Sequence, residues 1–433
     1  MDWTIAGLIL GGLLIILLMA GVWIAIALGI VGTVGVLMSE PEALGGLEYV
    51  CWNNLNSFVL TAVPLFLLMG SVILEAGVST RFYKALSTWL DYLPGSLIHT
   101  NIVACAMFAA LCGSSVATAA AIGTVAIPEM EKRGYDRPLT YGSLAAGGTL
   151  GILIPPSISL LIYGAMVEQS IGRLFMGGFV PGLILASIFS VYLLVRTVIQ
   201  PELVPRKEKG SSWKVRLYAL RDIMPIIALI LLVLGGIYAG VTTPTEAAAA
   251  GSAGALVIAL AYGGLSFEAL KRSFFSTIKI TSMVLFILIG AQIMSFGLVE
   301  TNVPRGVVAT VAGLNVSRWV IFTFIVLIYL VLGMFVDAMA NMLITLPVIY
   351  PLVLAYGFDP IWFGIVMVVL LEVGLITPPV GMNIFVIHGV ARGRPLTEVI
   401  RGAAPYVLLM LLMVGMLAAF PNLVLWLPSR MTY

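Results

Sequence analysis

Apolar runs of membrane-spanning length follow one another along almost the whole chain. A helix needs about 20 consecutive apolar residues to cross a bilayer. Read against their polar breaks, the runs fall near 4–38, 55–77, 97–130, 139–166, 175–198, 222–240, 247–264, 279–299, 317–335, 338–356, 361–391 and 403–428. They are continuous, not alternating, so an outer-membrane barrel is excluded. Composition agrees. Hydrophobic residues make up 61% of the chain and charged residues 10%, far from a soluble domain or a disordered segment. The fold class is therefore an all-α, polytopic membrane protein, with the lipid bilayer as its solvent.

The N-terminus starts Met1-Asp2-Trp3 without a basic segment, and its apolar run continues to Met38. A cleaved signal has a basic start and a shorter apolar stretch. This run is read as retained membrane helix, two spans folding near Gly21. The 97–130 and 317–356 stretches are too long for one straight span. The 55–77 and 279–299 segments are interrupted by polar residues and are expected to enter and leave on the same side. The total is eleven or twelve crossings plus two re-entrant hairpins.

One stretch is clearly polar. Residues 199–222 carry Arg206, Lys207, Lys209, Lys214, Arg216 and Arg221 and divide the chain nearly in half. Basic loops remain cytoplasmic, so this linker is placed inside. The halves on either side repeat. At a shift of 223, Pro128 meets Pro351, Gly134 meets Gly357, Asp136 meets Asp359 and Gly151 meets Gly374. Pro155 and Pro156 then meet Pro378 and Pro379. Phe66–Gly70 and Phe286–Gly290 extend the repeat at a shift of 220. The loop at 131–137 holds Lys132, Arg133 and Arg137, whereas its partner at 354–360 holds only Asp359. After the next helix the bias reverses: Arg173 stands alone, and its partner loop carries Arg392, Arg394 and Arg401. Alternating basic loops are the mark of two copies inserted upside down to each other. This topology puts 131–137, 199–222, the 265–279 turn and 392–401 inside and the C-terminus outside.

The chemistry should lie at two broken helices, Gly151-Ile-Leu-Ile-Pro155-Pro156-Ser157-Ile-Ser159 and Gly374-Leu-Ile-Thr377-Pro378-Pro379-Val-Gly381-Met-Asn383. Proline lacks an N–H and disfavours helix in the residue before it. Two in succession strip helical donors from the carbonyls of Gly151 and Ile152, and of Gly374 and Leu375. In hydrocarbon such carbonyls must be buried in protein or given a ligand. Sodium, a hard cation that takes several oxygens, is a suitable one.

A second pair lies just before. Gly113-Ser114-Ser115-Val-Ala-Thr118 interrupts an apolar run, and Asp337-Ala-Met-Ala-Asn341 stands at the same shifted positions. Ser114 aligns with Asp337 and Thr118 with Asn341, four residues apart, which on a helix is one face. Asp337 is the sharpest single residue, because an ionisable group deep in a span is expensive and usually functional; it can also cap the half-helix that follows. Helix N-termini at such breaks favour an anionic substrate. Weaker candidates are Glu372, which faces the same cavity or bonds a neighbouring helix, and Glu75 and Asn56, read as interfacial anchors. Thr242-Thr-Pro-Thr-Glu246 looks like a cap opening a helix at 247, and His388 is read as structural.

Other functions are poorly served. A net charge of +2 gives no field for nucleic acid. Three cysteines at irregular spacing and two histidines, His99 and His388, give no metal or disulfide framework. There is no Gly-Lys-Ser/Thr phosphate loop and no His-Glu-x-x-His motif. A passive channel needs a continuous polar pore and gains nothing from paired breaks. An intramembrane serine hydrolase would use Ser115 with His388, but the glycine expected after the nucleophile is missing.

Together, Gly151–Ile158, Gly374–Asn383, Gly113–Thr118, Lys132–Asp136, Gly333–Asp337 and Thr243–Ala248 closely resemble the large membrane subunit of tripartite ATP-independent periplasmic (TRAP) transporters. The resemblance covers nearly the whole chain. It implies sodium-driven secondary uptake of an organic anion, such as a C4-dicarboxylate or sialic acid, across the bacterial inner membrane. It also implies an elevator-type fold, in which a transport domain with two hairpins slides against a scaffold. Its partners would be a periplasmic substrate-binding protein and a small four-helix membrane subunit; no four-helix segment precedes the motifs, so that subunit is expected to be separate. A sibling possibility is a stand-alone sodium-coupled dicarboxylate or citrate carrier of related fold. By the resemblance, sodium is held around Ser114, Ser115, Thr118, Gly151 and Pro155 in one half, and around Asp337, Asn341, Gly374, Thr377 and Pro378 in the other. Substrate lies near Ser157 and Asn383, with Pro156 and Pro379. No cofactor beyond the coupling ion is expected. The corresponding organisation is scaffold helices at 1–54, a first repeat at 55–198, the basic linker at 199–222, scaffold helices at 223–278, a second repeat at 279–402 and a C-terminal helix at 403–433.

Overall fold

The computed structural model describes residues 2–205 and 210–431. Arg206, Lys207 and Lys209 of the linker lie outside the described residues. Every regular element among those described is helical. Among the described residues, eight helical stretches are long and apolar enough to cross a membrane, and five more apolar helices are shorter.

The chain opens with α1 (Trp3–Met19) and α2 (Ile24–Ser39), reversing at Gly21, whose φ of 77° suits glycine. A surface helix α3 (Gly45–Leu55) leads to α4 (Ala62–Glu75) and α5 (Val78–Leu90). Next come α6 (Ser96–Cys112), α7 (Ser115–Lys132), α8 (Arg137–Leu153) and α9 (Ile158–Met166). The long α10 (Ile171–Ile199) closes the first half. The second half holds α11 (Trp213–Ile230), continued through a π turn into α12 (Gly236–Tyr238), then α13 (Pro244–Ala261) and α14 (Phe267–Glu300). It goes on with α15 (Val303–Gly313), α16 (Arg318–Gly333), α17 (Ala338–Ala355), α18 (Pro360–Leu375) and α19 (Met382–Val390). It ends with α20 (Leu396–Ala419) and the short α21 (Asn422–Leu425).

Four sequence expectations change. The 279–299 segment does not double back: it is the middle of the single helix α14. Its glycines serve packing instead. A Cβ on Gly290 would lie 2.2 Å from the Ala25 carbonyl oxygen, and one on Gly297 would lie 2.1 Å from that of Gly32, so α14 and α2 touch backbone to backbone. Likewise 55–77 is a 3-10 turn (Phe58–Thr61) followed by α4 alone. The linker is also shorter than 199–222, because α11 begins at Trp213 and carries Lys214, Arg216 and Arg221 on its first turns. The cap at 242–246 opens its helix three residues early. Thr243 and Glu246 form a reciprocal capping box, and Pro244 takes the first helical position.

The hairpins are the motif-bearing segments. Near the start of α6, Asn101 donates to the Met130 sulfur at 3.2 Å, close to the end of α7, so the two helices run antiparallel about a tip at Gly113-Ser114. In α16 and α17, Thr345 and Tyr329 are hydrogen-bonded at 2.9 Å, and Trp319 packs edge-on against Phe358, which folds that pair about a tip at Met334–Asp337. Each hairpin is followed by a helix interrupted at its proline pair. Both Pro155-Pro156 and Pro378-Pro379 are cis. The unbroken parts, α8 and α18, form the core: from Leu139 to Leu153 and from Ile361 to Leu375 every residue is buried.

Two contacts fix how these units meet. At one end the Tyr163 hydroxyl of α9 donates to the Pro360 carbonyl at 2.7 Å, joining the end of one broken helix to the start of the other. At the opposite end Arg394, just past α19, pairs with Glu131 at 3.3 Å beside the start of α8. Basic segments gather at that second end. Asp136 bonds Leu203 through the backbone, Arg216 pairs with Asp91, Arg272 pairs with Glu75, and Tyr262 reaches the Arg221 carbonyl.

Candidate functional site: two hairpin tips and two broken helices

The tips and breaks converge on a cavity of about 480 Å³. Its walls include Gly113–Ala117 from the first tip, Asp337–Ala340 from the second, and Ile152, Ile158, Leu375 and Met382 beside the breaks. The far wall belongs to other helices: Ile24 of α2, Ser71 of α4, and Ser276, Thr277 and Met283 of α14. Of the residues singled out in the sequence, Ser114, Ser115 and Asp337 line this space.

The tips end where they do because each is capped. Ser114 is extended, and its hydroxyl accepts from the Ala117 amide at 3.4 Å. Asp337 accepts from the Met339 amide at 3.1 Å. The first turns of α7 and α17 thus open on the cavity with their amide ends, where a helix favours negative charge.

Behind the tips lie the supports. A Cβ on Gly151 would be 2.7 Å from the Ser114 carbonyl oxygen, and one on Gly374 would be 2.5 Å from Gly333 Cα. Glycine at these positions lets each broken helix touch its own hairpin tip. The Val380 amide also donates to the Met334 carbonyl at 3.2 Å, tying the second break to the second tip. One turn further back, buried polar atoms are left without partners: Thr118 Oγ1, both side-chain heteroatoms of Asn341, and Asn383 Oδ1. Asn341 and Thr118 are at most 1% exposed. An unpartnered buried polar group is costly, so these atoms are free to take a ligand. All but one are oxygens, which suits a hard cation.

The remaining sequence candidates divide. Pro155, Pro156 and Ser157 are buried, and the Ser157 hydroxyl caps α9 by accepting from Leu160 at 3.2 Å. Asn383 does not line the cavity: it is wedged between α7 and α8, donating to the Ala145 carbonyl at 3.2 Å. Thr377 returns its hydroxyl to the Val373 carbonyl at 2.6 Å. Pro378 and Pro379 are exposed, whereas their counterparts are buried. The two breaks therefore resemble each other in backbone but not in cover. Glu75 pairs with Arg272 at 2.7 Å, and Asn56 ends α3 in an exposed position. His388 lies 2.9 Å from the Arg394 carbonyl oxygen, away from Ser115, so no serine–histidine pair exists.

Sequence reasoning undervalued Glu372. It is completely buried and accepts a hydrogen bond from Ser115, joining the second broken helix to the first hairpin tip. A carboxylate inside the apolar run of α18 was the available signal. Ser276 and Thr277 carried none.

Comparison with known proteins gives the site its context. Residues 11–423 match the family described as the tripartite ATP-independent periplasmic transporter, DctM component. The chain belongs to this family. Among its relatives, the C4-dicarboxylate TRAP transporter large permease protein DctM of Pseudomonas aeruginosa is 36% identical over 406 residues, covering 93% of this chain and 94% of that one. The isethionate TRAP transporter permease protein DctMQ of Oleidesulfovibrio alaskensis is 33% identical over 93% of this chain and 63% of its own length. In fold the chain is similar to the YdaH transporter of Alcanivorax borkumensis, with a TM-score of 0.56 over 92% of this chain and 97% of that one at 14% identity. This TRAP large permease component is thus a multi-spanning inner-membrane transport subunit and not an enzyme.

Proposed function

We propose that this subunit carries a small organic anion inward through the cavity between the two hairpin tips, driven by sodium held at the paired breaks. The observation that carries the reading is the cluster of partnerless buried atoms, Thr118 in one half and Asn341 in the other, each one turn behind a tip that opens on the same cavity. Thr118, Ser114 and Ser115 with the carbonyls near Gly151 and Pro155 would hold one ion. Asp337 and Asn341 with those near Gly374, Thr377 and Pro378 would hold the other. The amide ends of α7 and α17 suit a carboxylate or sulfonate, the chemistry in the names of the C4-dicarboxylate and isethionate relatives. Ser157, Asn383, Pro156 and Pro379 shape the breaks around that space and act on the substrate through them.

The two halves are read as inverted repeats, supported by the end-to-end joins at Tyr163–Pro360 and Glu131–Arg394. The basic end is read as cytoplasmic. In an elevator reading, α6–α9 and α16–α19 move as one body against α2, α4 and α14, whose side chains make the cavity's far wall. A periplasmic binding protein would deliver the anion and a separate small membrane subunit would brace the scaffold. The test is uptake by proteoliposomes holding this chain with its small subunit, with and without the binding protein and a sodium gradient. Uptake requiring both supports the reading. Uptake that proceeds without sodium refutes the coupling, and uptake without any binding protein points to a stand-alone carrier.

A further inference from the structure

The two clusters differ in charge. The second tip brings its own carboxylate, Asp337, whereas the first offers only the hydroxyls of Ser114, Ser115 and Thr118. Yet a second carboxylate does reach the first cluster, and it comes from the other half of the chain. Glu372, 0% exposed, accepts the hydroxyl hydrogen of Ser115 through Oε1. Its other oxygen, Oε2, has no partner. No ion pair among the described residues includes Glu372 or Asp337.

Glu372 is fully buried and Asp337 half-buried. Lys279 of α14 shares a second cavity with Asp337, but no lysine, arginine or histidine lines the cavity at the two tips, so the carboxylate behind the first tip is left short of positive charge in a low-dielectric setting. Bound cations correct that deficit. Because Ser115 donates its proton to Glu372, both lone pairs of its hydroxyl oxygen remain free to accept. We infer that Glu372 is the counter-charge of the first cation cluster, acting through Ser115, so that each half's cluster has one carboxylate and the first borrows its own from the second half. Glu372 is then a positioning residue. It polarises a ligating hydroxyl in the way that outer carboxylates orient first ligands at metal sites. The arrangement also links the halves: a cation at the first tip pulls on α18, the helix whose Gly374 supports the second tip.

This inference rests on the sodium reading above, and the test separates the two. The complex is purified as wild type, Glu372→Gln and Glu372→Ala, and thermal unfolding is followed against sodium chloride at constant ionic strength set with choline chloride. Gln keeps the acceptor for Ser115 and removes only the charge. The expected result is a Glu372→Gln protein that melts near the wild-type temperature without sodium but needs about 10–100-fold more sodium for the same rise. Asp337→Asn, made in parallel, should weaken the response independently, and the double variant should abolish it. A Glu372→Gln protein with the wild-type sodium midpoint overturns the counter-charge role, whatever its melting temperature, and leaves Glu372 an inter-helix strut. A wild type with no sodium-specific rise overturns the sodium reading itself. Glu372→Ala reports the cost of losing the strut as well: a low melting temperature for Ala with a normal midpoint for Gln is the structural outcome.

Discussion

Gly374 lies against Gly333 so closely that a Cβ on Gly374 would fall 2.5 Å from the Gly333 Cα and 2.6 Å from its carbonyl carbon. The second broken helix therefore meets the end of α16 backbone to backbone, immediately before the tip that carries Asp337. Nothing at this contact is a flexible side chain, so an added methyl group must move main chain. Gly374→Ala should lower stability by about 1–3 kcal/mol, the usual cost of overpacking, and should also blunt the sodium response by shifting the tip. Gly389 on α19 is the control. No atom lies within 4 Å of a Cβ built there, and alanine favours helix over glycine by about 1 kcal/mol. Gly389→Ala should melt at or above the wild-type temperature with an unchanged sodium response.

Asn341 allows stability and ion binding to be pulled apart. Both of its polar side-chain atoms are buried without partners. Removing an unsatisfied group costs little and can stabilise, unlike removing one member of a made bond. In choline chloride, Asn341→Ala should melt within a few degrees of wild type. In sodium chloride the wild type should rise and the variant should lag, because the ion has lost a ligand. Thr118→Val should behave alike from the other half. A melting temperature that falls equally in both salts would mark these side chains as ordinary packing.

Much of this fold was readable in the sequence, and the misses have a common cause. The proline pairs, the capped tips and the Gly21 reversal were legible because proline, glycine and capping residues act locally on their own backbone. The hairpins are misplaced onto 55–77 and 279–299 because the polar residues within those segments read as interruptions of a span. In the structure Lys279 and Ser282 are exposed and Gln292 is half-covered on a continuous α14, whose glycines face α2. Whether a glycine reverses the chain or admits a neighbouring helix is decided by tertiary packing, which periodicity does not carry. The site shows the same limit. Asp337 stood out alone, but Glu372 drew its meaning from Ser115, 257 positions away. The exposure of Pro378 and Pro379, beside their buried counterparts, has no sequence signature at all.

The basic end of the molecule gives a pH prediction. Glu131 receives the Tyr141 hydroxyl at 2.5 Å and Arg394 at 3.3 Å, with Arg137 at 3.9 Å. Partial burial pushes its carboxyl upward, but the Tyr141 hydrogen bond and the Arg394 guanidinium outweigh this and hold it below the ordinary glutamate value. A depressed folded-state value means the cluster stabilises fully above the unfolded glutamate range, near pH 4.3, and loses that contribution as pH falls through the folded value. Partial exposure keeps the effect to about 1 kcal/mol or less. Melting temperatures of wild type and Glu131→Gln, compared from pH 7 down to 3.5, should differ most at neutral pH and converge in acid. A constant gap across that range would show that the charge of Glu131 contributes nothing.

The three cysteines offer a probe of movement at the first tip. Cys112 ends α6 and borders the cavity while only 5% exposed, Cys105 is fully buried, and Cys51 is half-exposed on the surface helix α3. A thiol in the cavity wall reacts only when the wall opens. If the hairpin tip separates from α4 and α14 during transport, a protein retaining Cys112, with Cys51 and Cys105 replaced by alanine, should label slowly with a small methanethiosulfonate. Sodium together with a transported anion should change that rate at least severalfold, because ligands redistribute the states they bind unequally. A version retaining only Cys51 should label quickly at one rate in all conditions, and one retaining only Cys105 should resist. Labelling of Cys112 that is insensitive to both sodium and anion would mean that the first tip does not open onto the cavity it lines, and the moving-body reading would have to be abandoned in favour of a fixed path.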